Sequence, residues 1–205
     1  NKKILEQIKN DIKDRDIKLL IVTKTRTRED VIDLINMGYI NFAENRVQEA
    51  QNKYVDILSN KDVKLNLIGP LQSNKVKQAL NLFDTIQSVD RPKIVDEIVK
   101  FKNNSSKTKS FYIQINIGEE PQKSGVLPTE FEEFYQYCIY KKLKISGIMC
   151  IPPVEKDPGP FFEKMNIIKN GINKNLLLSM GMSSDYKIAL NFHTNEIRIG
   201  SLIFT

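Results

Sequence analysis

Eight short apolar runs separated by helical patterns constrain this chain more than any other feature of its sequence. The runs are Lys18–Thr23, Tyr39–Ala43, Leu65–Gly69, Thr85–Ser88, Phe111–Ile117, Lys144–Cys150, Leu176–Met180 and Glu196–Ile199. Between them lie amphipathic stretches at Arg28–Met37, Val47–Leu58, Asn74–Leu82, Pro92–Asn103, Pro128–Tyr140, Gly159–Asn170 and Ser184–Asn191. In the first of these Val31, Leu34 and Ile35 share one helical face, and Pro92 suits the first turn of a helix. Strict β–α alternation argues for parallel strands. Eight such units in 205 residues predict a closed (β/α)₈ TIM barrel, an α/β fold at the small end of its size range. The runner-up is an open doubly wound sheet, but no G-x-G-x-x-G follows any strand. No linker or composition break divides the chain, so residues 1–205 read as one domain.

Composition excludes several functions. Hydrophobic residues at 40% and charged residues at 27% suit a soluble globular protein. No apolar run approaches the roughly 18 residues of a membrane span. The start at Asn1 lacks a signal-peptide apolar core, and its missing initiator Met suggests a processed or trimmed terminus. Cys138 and Cys150 form neither a disulfide framework nor a metal-ligand spacing, and they read as buried thiols in a reducing, cytoplasmic setting. With His193 the only histidine, a His-rich metal centre is impossible. The net charge of +6 is spread among acids, and the densest cluster, Lys141–Lys142–Leu143–Lys144, has no interleaved stacking aromatics. A solvated surface, with no nucleic-acid partner, is the expectation.

The run Leu19–Leu20–Ile21–Val22–Thr23 stops at Lys24, which in a barrel stands at the carboxyl-terminal rim, where such folds place their chemistry. A partly desolvated lysine there can attack a carbonyl and form a Schiff base; the alternative is a lysine that snorkels to water. The other strand ends bring Glu44–Asn45, Gly69, Ser88, Asn116 and Met149 to the same rim. The last two contribute Ser179–Met180–Gly181–Met182–Ser183 and Arg198–Ile199–Gly200–Ser201. These final segments look like a phosphate cradle, because small residues let backbone N–H groups approach an anion. A Schiff-base lysine with a phosphate cradle suggests pyridoxal 5′-phosphate (PLP) or a sugar-phosphate aldol.

The segments Val22–Thr25, Phe42–Glu49, Ile68–Lys75, Ser88–Arg91, Gln122–Gly125, Gly147–Met149, Ser179–Ser183 and Arg198–Gly200 resemble, in order and through nearly the whole chain, the PLP homeostasis protein family. That family is similar to the barrel domain of alanine racemase. The resemblance implies that Lys24 holds PLP as an internal aldimine and that Arg198 faces the pyridine nitrogen. It implies phosphate binding by Ser183, Gly200 and Ser201, in the cradle that also contains Met180 and Gly181. Asn45, Ser88, Met149 and Ser179 would line the ring pocket. A guanidinium does not readily accept a proton, so Arg198 would keep the pyridine nitrogen unprotonated and weaken the electron sink. Racemisation also needs a second acid/base group, for which Tyr39, Tyr112 and Tyr186 are the loosely placed candidates.

Two positions depart from the family, which usually has histidine where Pro70 and Gln87 stand. Neither position carries the aldimine or the phosphate. The expected function is therefore intracellular PLP (vitamin B6) homeostasis or delivery without efficient catalysis. Apo PLP enzymes would be the recipients and the carrier would be a monomer. The rivals are a PLP-dependent amino-acid racemase and an aldolase that works without PLP.

Overall fold

The first apolar run, Lys18–Val22 (β1), pairs in parallel with two strands, and one of them is the last in the chain. Its registers are Ile21 with Phe42 on β2 (Asn41–Glu44) and Leu20 with Arg198 on β8 (Glu196–Ile199). The remaining strands are β3 (Lys64–Leu67), β4 (Thr85–Val89), β5 (Ser110–Ile115), β6 (Gly147–Cys150) and β7 (Leu177–Met182). They follow in sequence order around a closed eight-stranded barrel, which excludes the open doubly wound sheet. The structure is a computed structural model and describes residues 2–60 and 62–204.

An amphipathic helix α1 (Lys2–Ile12) precedes the barrel. The connecting helices are α2 (Arg28–Asn36), α3 (Val47–Asn60), α4 (Val76–Leu82), α5 (Pro92–Phe101), α6 (Phe131–Tyr140), α7 (Gly159–Ile172) and the short α8 (Tyr186–Ala189). Pro92 occupies the first turn of α5 as its fixed φ favours. Before α6, Pro128–Glu130 form a 3₁₀ turn, so the α-helix begins at Phe131.

Strands β2, β3 and β5 shift by one or two residues at their ends from the sequence pattern, and β6 and β7 differ more. The run from Lys144 joins the sheet only at Gly147. The turn that closes α6 precedes it, with Lys142 at φ +59° and the Leu143 N–H donating to the Cys138 carbonyl at 2.9 Å. Strand β7 continues to Met182 through a bulge. Its Ser179 pairs with Glu196 and its Met182 with Arg198, so β7 uses one residue more than β8 over that span. Gly181, at φ +98°, absorbs the irregularity.

In a closed barrel, successive strand residues face either the lumen or the helices. Ile21, Phe42, Ile113, Ile148, Leu178 and Ile197 belong to the large outer core packed under the helices. Leu20, Val22 and Ala43 form a separate small cluster with Ile68, inside the barrel. The same alternation sends Glu196 and Arg198 inward. At the amino-terminal end of the lumen Glu196 accepts from Gln87 Nε2 at 2.7 Å and from Lys18 Nζ at 3.0 Å. These bonds offset the cost of a carboxylate that is only 2% exposed. Beside it Tyr112 is buried, and its ring leaves no room for a side chain at position 147. A Cβ on Gly147 would lie 2.6 Å from both the Tyr112 ring and the Leu177 carbonyl. Gly147→Ala is expected to destabilise the barrel by about 1–3 kcal/mol through overpacking, measured as a lower midpoint in urea denaturation with an unchanged slope.

Candidate functional site

The carboxyl ends of the strands surround a cavity of about 510 Å³, within the range of small-molecule and cofactor sites. Lys24 stands two residues beyond the end of β1, and the inward set Leu20–Val22 continues in phase to it. Asn45 stands just after β2. Gly69 stands beyond β3, where a Cβ would collide with the backbone of Asn45, so only glycine lets the two strand ends pass. The β7 and β8 ends supply Met182, Ser183, Arg198, Gly200 and Ser201. Gln114 from β5, Asn116 just beyond it and Gln122–Ser124 from the following loop also line the wall.

Among the described residues, three cationic side chains, Lys24, Lys123 and Arg198, line this cavity, and no Asp or Glu does. Arg198 is only 2% exposed. It donates to Ser179 Oγ at 2.8 Å and to the Cys150 carbonyl at 2.7 Å, and among the described ion pairs none includes it. Burial lowers its pKa from the ordinary guanidinium value. A buried cation held only by neutral acceptors on a cavity wall is a strong donor toward an electron-rich ligand. Ser183 Oγ accepts from the Gly200 N–H at 3.3 Å and the Leu202 N–H at 3.4 Å, tying the two loop ends together while its own hydroxyl proton remains to be donated. A Cβ on Gly200 would lie 3.0 Å from the Val22 carbonyl, so this turn sits close against β1.

Of the residues expected from sequence, Lys24, Asn45, Ser183, Arg198, Gly200 and Ser201 meet at the cavity. Ser179 lies behind Arg198 as its hydrogen-bond acceptor and does not line the wall. Met180 packs in the outer core, because the β7 alternation turns it toward the helices, and the bulge brings Met182 to the cavity instead. Gly181 faces Ala189 and Tyr186 of α8. Met149 and Ser88 are fully buried off the wall, Ser88 Oγ without a hydrogen-bond partner. Lys24 itself is exposed, where the sequence predicted partial desolvation. Gln87 points to Glu196 at the far end of the lumen, whereas Pro70 does line the cavity.

Sequence reasoning did not assign Gln114 or Lys123 to the site. The only signal for Lys123 was the segment Gln122–Gly125 among the resembling motifs. Lys123 Nζ donates to the Pro152 carbonyl at 3.2 Å and pairs with Glu120. Nor did the pattern show what lies behind Lys24. On the helix side of the barrel, Thr23 Oγ1 donates to Glu44 Oε1 at 2.7 Å and contacts the Tyr54 hydroxyl at 2.6 Å. Lys53 Nζ reaches Glu44 Oε1 at 2.8 Å and Glu49 Oε1 at 3.2 Å.

The alanine racemase N-terminal domain family model matches residues 5–205 of this chain. The pyridoxal phosphate homeostasis protein of Aquifex aeolicus is 36% identical over 198 residues, covering 91% of this chain and 86% of that protein. The chain belongs to the pyridoxal phosphate homeostasis protein family. A second member, from Pasteurella multocida, is 34% identical over 200 residues, covering 92% of this chain and 85% of that one. Among solved structures, PipY from Synechococcus elongatus with PLP bound superposes with a TM-score of 0.81 at 27% identity, over 93% of each chain. Alanine racemase of Clostridium difficile shares the fold, with a TM-score of 0.75 at 16% identity, over 98% of this chain and 55% of that one.

Burial raises the Glu44 pKa above its ordinary 4.5, opposed by hydrogen bonds from Lys53 and Thr23. The folded protein therefore holds this proton more tightly than the unfolded chain does. The contribution of Glu44 to stability is full below the ordinary value and is lost as pH rises through the raised one. Relative to Glu44→Gln, the wild type is expected to lose stability as pH climbs from about 4 through that window and then level off. Chemical denaturation across the pH series measures it, and a constant difference between the two proteins would contradict the assignment.

Proposed function

We propose that this chain binds pyridoxal 5′-phosphate through a Schiff base on Lys24 and serves intracellular PLP homeostasis by holding and releasing the cofactor. The observation that carries this reading is the cavity's polarity: among the described residues, three cations and no Asp or Glu on the wall, with Lys24 and a buried Arg198 in no described ion pair among them. That donor set fits a phosphorylated, electron-rich heterocycle, and the names of the relatives and the PLP bound to PipY support the same ligand.

When bound, the cofactor would supply an aldehyde, and Lys24 is the residue whose amine would hold it as a Schiff base. Ser183, Gly200 and Ser201 are the residues placed to hold the phosphate, with Asn45 beside the ring. Arg198 would offer its remaining N–H groups to the ring nitrogen and, accepting no proton readily itself, would leave that nitrogen unprotonated and the cofactor's electron-withdrawing power low.

Turnover of amino acids is disfavoured for a second reason. A racemase needs a proton carrier on each face of its substrate, and among the described residues no tyrosine lines the cavity. Tyr112 is buried in the lumen, and Tyr186 donates to Asp11 at 2.9 Å. Tyr39 is buried with Lys9 Nζ 4.3 Å from its ring centroid. Pro70 on the wall carries no titratable group. The chain thus acts as a monomeric carrier, with apo PLP enzymes as the recipients.

Protein mixed with PLP is expected to show a visible absorbance band that borohydride abolishes, leaving a pyridoxyl group on Lys24 by peptide mass spectrometry. Lys24→Ala should show neither, and a wild type without the band would sink the proposal. In a separate measurement, solvent deuterium should fail to enter Cα of added amino acids. Incorporation at a catalytic rate would favour the racemase reading.

A further inference from the structure

The two peptide groups that flank Lys24 are both gripped from behind the barrel. The Thr23 carbonyl, in the peptide preceding Lys24, accepts from Lys53 Nζ at 2.6 Å. The Thr25 N–H, in the peptide following it, donates to Glu49 Oε1 at 2.6 Å. Lys53 and Glu49 are themselves paired at 3.2 Å, one turn apart on α3. Fixing the planes on either side of a residue fixes its φ and ψ, and therefore the direction of its Cα–Cβ bond.

The grip also explains a backbone anomaly. Thr25 has φ +62°, a left-handed conformation that a β-branched residue disfavours. Such a conformation persists where surrounding contacts over-determine it, and the short charge-assisted bond to Glu49 is such a contact. Arg26 adds a second hold, its guanidinium 4.7 Å from the centre of the Phe204 ring.

The clamp is an expensive way to fill this space. Lys53 is 7% exposed and Glu44 is fully buried, with Glu44 Oε2 lacking any partner. Apolar residues of similar volume commonly match or exceed a buried ion pair in stability. Side chains that cost this much and converge on the two peptides around one lysine point to a role at that lysine.

We propose that Glu49, held by Lys53, is a positioning residue that sets the backbone of Lys24 so that its amine enters the cavity at the angle needed for attack on the cofactor aldehyde. The proposal rests on the reading that Lys24 carries PLP. It assigns Glu49 an effect on covalent capture that is separate from recognition of the phosphate and ring, which other loops perform. Orientation of this kind acts on the rate of bond formation, because small misplacements of a nucleophile are costly.

The test uses Glu49→Ala and Glu49→Gln, since Glu49 is partly exposed and its replacement spares the buried Glu44–Lys53 pair. Two probes are compared: PLP, followed by its visible band and borohydride trapping, and 4′-deoxypyridoxine 5′-phosphate, which lacks the aldehyde and binds only non-covalently. Glu49→Ala is expected to slow covalent capture about tenfold or more while changing affinity for the deoxy analogue by less than about twofold. Glu49→Gln, whose amide oxygen still accepts the Thr25 N–H, should recover most of the rate. Amide exchange at Thr25 should rise in Glu49→Ala and not in Glu49→Gln.

Capture at the wild-type rate in Glu49→Ala would overturn the proposal. So would parallel loss of analogue binding, or a Glu49→Gln protein as slow as Glu49→Ala. Wild-type and Lys24→Ala proteins in the same assay keep the two ideas apart. If neither captures PLP, the Lys24 reading fails, and the Thr25 amide exchange still decides whether the clamp exists.

Discussion

Closure of eight parallel strands leaves each strand residue one of two destinations, the lumen or the helix layer, and every functional placement in this molecule follows from that division. On β1 the division separates Leu20 and Val22, which lead inward to Lys24, from Ile21 and Thr23, which face the helices. On β8 it stacks Glu196, Arg198 and Gly200 along the lumen, so a carboxylate closes the amino-terminal end and a guanidinium faces the cavity. Both charges sit where apolar side chains would suffice for a core. Each is satisfied locally: Glu196 by Gln87 and Lys18, Arg198 by Ser179 and the Cys150 carbonyl.

The two faces of the barrel wall therefore do different work for the same lysine. From the lumen side, small residues and N–H donors of the β7 and β8 ends shape an anion-friendly cavity. From the helix side, α3 sends Lys53 and Glu49 through the gap between strand and helix to the peptides of the β1 loop. A capping box then fixes where α2 begins: Thr27 Oγ1 accepts from the Asp30 N–H at 3.1 Å, and the Asp30 carboxylate accepts from the Thr27 N–H at 2.9 Å. The loop carrying Lys24 is thus bounded at both ends by specific hydrogen bonds.

Period and order made much of this legible in sequence. Eight apolar runs with intervening helical faces predicted the barrel, and residues after the strand ends predicted Lys24, Asn45, Ser183, Arg198, Gly200 and Ser201 near one another. Illegible were features that depend on register. The β7 bulge exchanges Met180 for Met182 at the cavity, and nothing local in Ser179–Ser183 specifies which methionine turns inward. The ladder of β6 starts only at Gly147, several residues beyond the turn that follows α6 and carries Lys142 in the left-handed region. Lys53 and Glu49 looked like the polar side of an amphipathic helix, which is what charges at that spacing usually are. Only the fold reveals that their side faces the loop after β1.

The exposure of Lys24 has a kinetic meaning for a carrier. A linkage formed by expelling water is undone by water, so an attachment point open to solvent shortens the residence of whatever it holds. Under the proposed function, the same opening would admit a competing amine, from a free amino acid or from the lysine of an acceptor protein. A closed pocket would retain its cargo more faithfully and surrender it more slowly. With the backbone of Lys24 held fast and its side chain exposed, the attachment proposed above would favour exchange over storage.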